Sequence, residues 1–262
     1  MLVAFYGIIS TLWISFLTMI EIPFLSFSRA RIHRRLGYWS RYLVKAAGIK
    51  LTVEYQNPIE IQPHRAYMLM SNHQSYYDIP ITLAALDMWE IRMLAKQELF
   101  QTPLWGAAMR RAEFIDIDRN DATQAMAALE QAKAKMQDGI MIWVAPEGTR
   151  SRDAQLGVFK PGGFKMAIDL EATIIPMAIL GARAVMPPGQ GKISRGHEVV
   201  VRVGQPLEAA SFGPKGRKEL MKEVRSAMEA LLHSPPLPNG FAVPRGKNTP
   251  QPGLTVKEAP HA

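Results

Sequence analysis

The sequence predicts an α/β fold in which helices flank a mostly parallel sheet, preceded by an N-terminal membrane-associated helix or helical hairpin. Short apolar runs alternate with longer amphipathic ones between residues 51 and 232, and this alternation is typical of strand–helix–strand units. An uncharged apolar stretch precedes them, and a proline-rich stretch follows. We therefore divide the chain into a membrane-anchoring helical segment, residues 1–48, a globular domain, residues 49–233, and a flexible tail, residues 234–262.

Seven apolar runs are the predicted strands: Leu51–Tyr55, Tyr67–Met70, Arg92–Ala95, Phe114–Ile117, Ile140–Val144, Thr173–Ile179 and Val199–Val203. Apolar residues recur at spacings of three and four in Ala122–Gln137 and Lys218–Leu232, which predicts two amphipathic helices. Gly139 lies where the first of these needs a left-handed end. A third helix is predicted to begin at Thr102 and Pro103, with threonine as the cap and proline in the first turn.

The first twenty residues, Met1–Ile20, contain no charged side chain. At 1.5 Å per residue a helix of this length is about 30 Å long, which matches the hydrocarbon core of a bilayer. Glu21 and Pro23 interrupt the stretch, and aromatic and basic residues then mix over residues 24–48, a composition that suits a helix at the level of the lipid headgroups. A single span, a hairpin dipping into one leaflet and a buried core helix all remain open. The basic cluster that follows is expected on the cytoplasmic side: Arg29, Arg31, His33, Arg34 and Arg35.

The overall composition excludes several classes of protein. Of the 262 residues, 48% are hydrophobic and 21% are charged, which is ordinary for a chain that buries a core. The absence of cysteine excludes disulfides, a thiolate nucleophile and cysteine-type metal sites. The net charge of +8 favours anionic partners, and phospholipid surfaces, phosphorylated small molecules and nucleic acids all qualify.

A histidine and an aspartate follow the predicted strand Tyr67–Met70, as His73 and Asp78. Chemistry in parallel sheets collects in the loops at the carboxyl ends of the strands. Imidazole titrates near neutrality and can take a proton from a hydroxyl, while a carboxylate on its other nitrogen fixes the tautomer. The pair also fits a turn histidine followed by an aspartate at a helix start, so it needs support from elsewhere in the chain.

That support comes from the charged loop Ala145–Arg152, which follows the predicted strand Ile140–Val144. Gly148 allows the backbone to approach a ligand closely, and Arg150 can hold a phosphate through paired hydrogen bonds. Lys160 adds a second cation shortly afterwards. A solvated charged loop is the alternative interpretation of this segment alone.

Four segments, taken in order, resemble the motifs of the glycerophospholipid acyltransferase family, and in particular those of the 1-acyl-sn-glycerol-3-phosphate acyltransferases. They are Asn72-His73-x4-Asp78, Ile117-Asp118-Arg119, Pro146-Glu147-Gly148-Thr149-Arg150 and Ile175-Pro176-Met177-Ala178. The resemblance covers about residues 65–205. Three positions depart from the family's pattern, Glu113 in place of glycine, Asp116 in place of an apolar residue and Ala145 in place of phenylalanine. These departures concern the shape of the acceptor pocket and leave the reaction type unchanged.

The resemblance implies that residues 49–233 form an acyltransferase domain of phospholipid biosynthesis. It implies that His73 is the general base on the free sn-2 hydroxyl of 1-acylglycerol 3-phosphate, that Asp78 orients it, and that phosphatidic acid is the product. Backbone amides near Glu147 and Gly148 are expected to face the oxyanion. The implied substrate-binding residues are Arg119, Glu147, Gly148, Thr149, Arg150 and Lys160. Glu147 could equally anchor its loop through a salt bridge.

The implied partners are a lysophospholipid acceptor, an acyl thioester as co-substrate (acyl-CoA or acyl carrier protein) and membrane phospholipid. No cofactor, metal or nucleic acid is expected, and the expected location is the inner membrane with the site on the cytoplasmic face. Ser75 is the nearby hydroxyl that could form an acyl-enzyme, although direct transfer is favoured. The alternatives are another acceptor (glycerol 3-phosphate, a lyso-ornithine lipid or another lysophospholipid) and an inactive membrane-binding homologue.

Overall fold

Helices and strands occupy most of the part of the chain that the structure describes. In this computed structural model the described residues are 9–14, 16, 28–117, 122–153, 155–237, 239–242 and 254–256. The helices after residue 28 are α1 (Arg29–Ala46), α2 (Asp78–Ala85), α3 (Gln97–Phe100), α4 (Trp105–Arg111), α5 (Ala122–Gln137), α6 (Pro161–Asp169), α7 (Ala182–Val185) and α8 (Arg217–His233). The strands are β1 (Lys50–Tyr55), β2 (Ile59–Ile61), β3 (Tyr67–Ser71), β4 (Ile91–Lys96), β5 (Ile115–Ile117), β6 (Met141–Val144), β7 (Thr173–Leu180), β8 (Glu198–Val203), β9 (Leu207–Glu208), β10 (Asn239–Ala242) and β11 (Leu254–Val256).

The main sheet confirms the predicted, mostly parallel arrangement. Its strand order is β10-β1-β8-β7-β3-β6-β4-β5, and β9 pairs with β7. The pairs β3–β6, β3–β7, β4–β6, β4–β5 and β1–β8 are parallel, whereas β1–β10, β7–β8 and β7–β9 are antiparallel. Strand β3 therefore lies inside the parallel part, between β7 and β6, and its carboxyl end lies at the edge where sites form in sheets of this kind.

The sheet is covered by apolar side chains on both of its faces. In β3, Leu69 packs in one cluster with Trp143 of β6, whereas Met68 and Met70 pack in the other with Ile142. Neighbouring residues of a strand point to opposite faces, so this division is what two helical layers require. The first cluster includes residues of α1 and α2, and the second includes residues of α5, α6 and α8.

The predicted elements agree closely with the observed ones. All seven predicted strands are present, and each end lies within one residue of its prediction. Helix α5 has the predicted bounds, with Gly139 beyond it at φ +90°, and α8 is one residue longer at each end than predicted. The helix predicted at Thr102 and Pro103 begins at Trp105 instead, because Leu104 adopts a left-handed backbone with φ +63° and breaks the helical path.

The predicted membrane-anchoring segment is described in part. Its residues 1–8, 15 and 17–27 lie outside the described residues. Helix α1 begins after Ser28, whose hydroxyl accepts a hydrogen bond from the Arg31 amide at 3.4 Å. The Trp39 indole donates to Thr11 Oγ1 at 2.9 Å, which connects the N-terminal helical residues to α1. Within the described ranges, no helix combines the length and the apolar character needed to cross a membrane.

Two short strands lie inside the segment predicted to be a flexible tail. Strand β10 pairs antiparallel with β1, and β11 pairs in parallel with β2. These residues are therefore paired as short strands, and each adds a strand to backbone groups that would otherwise be unpaired at an edge. Residues 238, 243–253 and 257–262 lie outside the described part of the chain.

Candidate active site

The predicted histidine–aspartate pair is formed in the structure. His73 lies two residues beyond the end of β3, and Asp78 begins α2. The distance from His73 Nδ1 to Asp78 Oδ2 is 2.7 Å. The aspartate side chain is buried, while 18% of the imidazole surface remains exposed. A carboxylate on Nδ1 holds the proton there and leaves Nε2 as the nitrogen that can accept one from a substrate.

Backbone amides hold Asp78 in place. Besides His73, its Oδ2 accepts hydrogen bonds from the amides of Gln74 at 2.7 Å and Ser75 at 2.8 Å. The carboxylate also lies in the first turn of α2, where the helix dipole favours negative charge. Three donors therefore converge on one oxygen, and the orientation of the carboxylate is set before any ligand arrives.

The loop that carries His73 is tied to the strands on either side of β3. The Asn72 side chain donates to Ile179 O at 2.9 Å and accepts from Ile179 N at 2.7 Å, which fixes the loop to β7. Trp143 of β6 packs its ring edge-to-face against His73, with ring centroids 5.6 Å apart, and donates to Ser71 Oγ at 3.0 Å. These two contacts restrict the imidazole from both neighbouring strands.

Glu147 joins the two predicted motif loops. Its Oε1 accepts a hydrogen bond from the His73 amide at 2.9 Å, and its Oε2 accepts one from the Gly157 amide at 2.8 Å. Only 4% of Glu147 is exposed, and burial raises the pKa of its carboxyl group although the two amides act in the opposite direction. A Cβ atom at Gly157 would lie 2.9 Å from Oε2, so only glycine fits there without a shift. Among the described residues, the partners of the Glu147 carboxylate are backbone amides and not a basic side chain. Glu147 therefore anchors the main chain of His73, and its substrate contact stays a prediction.

The remaining residues of this motif surround the histidine loop. Gly148 has φ +71°, a conformation that glycine adopts readily, and its amide donates to Ala145 O at 3.0 Å. That amide closes a turn, so the predicted oxyanion contact does not come from a free Gly148 N–H. Thr149 is exposed, and Arg150 is partly buried. The Ser151 amide donates to His73 O at 2.7 Å, which brings the charged loop directly beside the histidine.

Of the other two predicted cations, one lies within the described part of the chain. Lys160 is exposed and immediately precedes α6, and its amide donates to Pro146 O at 2.7 Å. Arg119 lies outside the described residues, which stop at Ile117 and resume at Ala122. Strand β5, which leads to Arg119, runs parallel to β4, β6 and β3, so it carries the chain toward the same edge of the sheet.

Sequence reasoning missed several residues that organise this edge. The Arg150 guanidinium carbon lies 3.5 Å from the centre of the Tyr76 ring. Arg183 of α7 donates to Ser151 O at 3.1 Å and also to Arg152 O. Met186 O accepts a hydrogen bond from Ser75 Oγ at 2.9 Å. Tyr76 stands inside the first motif and Arg183 follows closely after the fourth, so their places in the sequence are the signal that could have identified them.

The structure thus places a His–Asp pair at the carboxyl end of a parallel strand inside the sheet, with an arginine loop beside it. The family model described as Acyltransferase matches residues 52–180, a range that includes His73, Asp78 and Glu147. The chain therefore contains a domain of this family over residues 52–180, and it is similar to proteins named 1-acyl-sn-glycerol-3-phosphate acyltransferases.

Three relatives illustrate this similarity. The chloroplastic 1-acyl-sn-glycerol-3-phosphate acyltransferase LPAT1 of Arabidopsis thaliana is 30% identical over 141 residues, 54% of this chain and 39% of its own length. The alpha enzyme of that name from Mus musculus is 28% identical over 228 residues, 84% of this chain and 77% of its own. A probable 1-acyl-sn-glycerol-3-phosphate acyltransferase of Mycoplasma pneumoniae is 30% identical over 175 residues, 63% of this chain and 64% of its own.

A solved structure has the same fold. It is the crystal structure of the 1-acyl-sn-glycerophosphate (LPA) acyltransferase PlsC from Thermotoga maritima, with a TM-score of 0.65 and 23% sequence identity. The match covers 87% of this chain and 95% of that one.

Proposed function

We propose that this protein moves a fatty acyl group from an acyl thioester to the sn-2 hydroxyl of 1-acylglycerol 3-phosphate, giving phosphatidic acid. The observation that carries the proposal is the 2.7 Å contact between His73 and Asp78, beside a loop that presents Arg150. The names of the relatives support the same acceptor. The thioester is carried by coenzyme A or by acyl carrier protein.

In this mechanism His73 acts as the general base. Its Nε2 takes the proton from the acceptor hydroxyl as the oxygen forms a bond to the thioester carbonyl carbon. Asp78 keeps the imidazole oriented and stabilises the imidazolium that forms. The tetrahedral intermediate collapses, the carbon–sulfur bond breaks, and the proton passes from the imidazolium to the leaving thiolate. The products are the ester and a free thiol.

The phosphate of the acceptor is held by cations around the histidine. Arg150 offers a planar fork of N–H donors that matches two phosphate oxygens. Lys160 is exposed nearby in sequence, and Arg119 is proposed to complete the set from the end of β5. The hydroxyl and the phosphate belong to one short glycerol backbone, so holding the phosphate places the hydroxyl at the base.

The surroundings of Ser75 support direct transfer without an acyl-enzyme. Its buried hydroxyl donates to Met186 O at 2.9 Å and accepts from the Tyr77 amide at 3.1 Å. A hydroxyl engaged in this way stabilises the loop and is poorly placed to attack a thioester. The chain has no cysteine to serve in its place.

Residues 1–48 are proposed to hold the domain at the cytoplasmic face of the inner membrane. Leu12, Trp13 and Phe16 are exposed apolar side chains in the N-terminal helical residues, and Tyr38 of α1 is 64% exposed. Aromatic side chains favour the membrane–water interface, and the basic residues of α1 favour anionic lipid. The acceptor and product both live in the bilayer, so a site held at this level meets them without extracting them.

A panel of acceptors tests the function. The purified full chain is given acyl-CoA or acyl carrier protein donors with lysophosphatidate, glycerol 3-phosphate, a lyso-ornithine lipid or another lysophospholipid, and thiol release is measured. We expect release that depends on lysophosphatidate and is lost in His73→Ala. Preference for another acceptor contradicts the proposed substrate, and absence of release with every pair contradicts the enzyme assignment.

A further inference from the structure

The contact between Tyr76 and Arg150 crosses from one motif loop to the other. Tyr76 lies between His73 and Asp78 in sequence, and Arg150 follows β6. The guanidinium carbon is 3.5 Å from the ring centre, which is the distance of close stacking. Tyr76 is 47% exposed, so the ring is not required to fill the core.

The backbones beneath both side chains are fixed relative to the histidine. The Tyr76 amide donates to Met186 O at 3.4 Å, and the Ser151 amide donates to His73 O at 2.7 Å. The Arg183 guanidinium donates to the carbonyl of Ser151 at 3.1 Å. Tyr76 and Arg150 therefore lie on segments whose positions are fixed by contacts with the His73 loop and with α7.

Stacking on Tyr76 leaves the N–H donors of the Arg150 guanidinium available for a ligand. A ring occupies one face of the guanidinium, whereas the N–H donors lie in its plane and point outward from its edge. Within the described residues, the ion pairs found do not include one between Arg150 and a carboxylate. The N–H edge is thus oriented by the ring while its charge is not neutralised by a fixed acidic partner.

We infer that Tyr76 is a positioning residue for the acceptor, holding the Arg150 guanidinium so that its N–H edge meets the acceptor phosphate while His73 faces the hydroxyl. This role rests on the proposed function and adds a specific requirement to it. An arginine on a free side chain can bind phosphate in many orientations, but transfer needs the one that brings the hydroxyl to Nε2. The aromatic face selects that orientation.

A double-mutant cycle tests this role. Tyr76→Phe, Tyr76→Trp, Tyr76→Leu, Arg150→Ala and the Tyr76→Leu/Arg150→Ala double variant are assayed as full chains, with 1-acylglycerol 3-phosphate varied and the acyl donor saturating. Tyr76→Phe and Tyr76→Trp retain a ring, and we expect their acceptor KM within about twofold of the wild type. Tyr76→Leu is expected to raise the acceptor KM about fivefold with little change in kcat. A change of this size corresponds to the loss of an exposed cation–π contact. When Arg150 is already replaced by alanine, Tyr76→Leu is expected to change the acceptor KM by less than about twofold.

Other outcomes overturn the role in distinguishable ways. An unchanged acceptor KM in Tyr76→Leu, or an increase of the same size with Arg150 already removed, assigns the ring to loop structure alone. If Tyr76→Phe and Tyr76→Trp behave like Tyr76→Leu, the hydroxyl is what matters and the stacking role is wrong. If Arg150→Ala itself leaves the acceptor KM unchanged, the phosphate assignment of the proposed function fails, and the role of Tyr76 fails with it.

Discussion

Two acid–base contacts of this protein differ in their surroundings: one joins residues five positions apart, and the other joins residues 84 positions apart. At the centre of the sheet, Asp78 meets His73 at 2.7 Å and also receives the amides of Gln74 and Ser75. At the β5 edge, Glu113 meets Arg29 of α1 at 2.9 Å. Glu113 also pairs with Lys135, whose Nζ lies 3.5 Å from its carboxylate. The backbone of Glu113 is left-handed, with φ +64°.

The two contacts depend to different degrees on the chain around them. Asp78 is fixed by short backbone segments and is buried, so its geometry is available before substrate binds. Glu113 depends on long side chains that lose conformational freedom when they pair, so a smaller contribution is expected. Glycine adopts a left-handed backbone readily, which fits the glycine that the family's pattern has at this position. The glutamate found here forms hydrogen bonds with Arg29 that glycine could not form.

The largest effect is expected at the central pair. His73→Ala removes the proposed base, and Asp78→Asn removes the charge proposed to stabilise the imidazolium, so we expect kcat to fall by about 10³-fold or more in each. Ser75→Ala is the matched control within the same loop and is expected to keep substantial turnover. Thiol release from the acyl donor measures all three. An acyl group trapped on Ser75 contradicts the direct mechanism.

A smaller loss is expected when the anchor of His73 is weakened. In Glu147→Gln one of the two acceptor oxygens becomes an NH₂ group, so either the His73 or the Gly157 amide loses its partner. We expect kcat to fall about tenfold or more with little change in acceptor KM. Glu130→Gln, on the exposed side of α5, is the matched control and is expected to behave as the wild type. A raised acceptor KM with kcat unchanged assigns Glu147 to substrate binding, as the sequence predicted.

At the peripheral pair the expected effect is on stability and depends on pH. Burial acts to raise the pKa of Glu113, but the hydrogen bond and charge of Arg29, with Lys135, outweigh it and hold the pKa below its ordinary value of 4.5. A carboxylate with a lowered pKa stabilises the folded protein above that value and loses this contribution as the pH falls through the folded-state pKa. Glu113→Gln is therefore expected to lower the free energy of unfolding by about 1 kcal/mol at pH 7. Urea denaturation at several pH values measures the difference in unfolding free energy between the wild type and Glu113→Gln. This difference should become smaller below pH 4.5, and a difference that does not change with pH contradicts the ion pair as its cause.

The smallest net effect is expected for Glu113→Gly. Glycine loses the contact with Arg29 but relieves a left-handed backbone that costs a non-glycine residue about 1 kcal/mol. We expect it to be more stable than Glu113→Ala, which loses the contact and keeps the strain, by about that amount. Urea midpoints of the two variants make the comparison, and equal midpoints contradict the strain.

The fold was largely predictable because its signals are local. The strand predictions succeeded since buried parallel strands are short apolar runs, and β3 is buried along its whole length. The helix start at Trp105 was not predictable from capping patterns, because the φ of Leu104 depends on how the chain is packed. The strands β10 and β11 were missed for a similar reason, since their pairing partners β1 and β2 are distant in sequence.

Local hydrophobic patterns and motif order were enough to locate the strands and to identify the loops that carry His73, Asp78 and Arg150. The folded arrangement was needed to reveal that Glu147 accepts a hydrogen bond from the amide of His73, 74 residues away, and that Tyr76 stacks on Arg150. Such contacts depend on strand order and on the φ angles of loop residues, which bring distant segments together. A local sequence pattern specifies neither the strand order nor these φ angles.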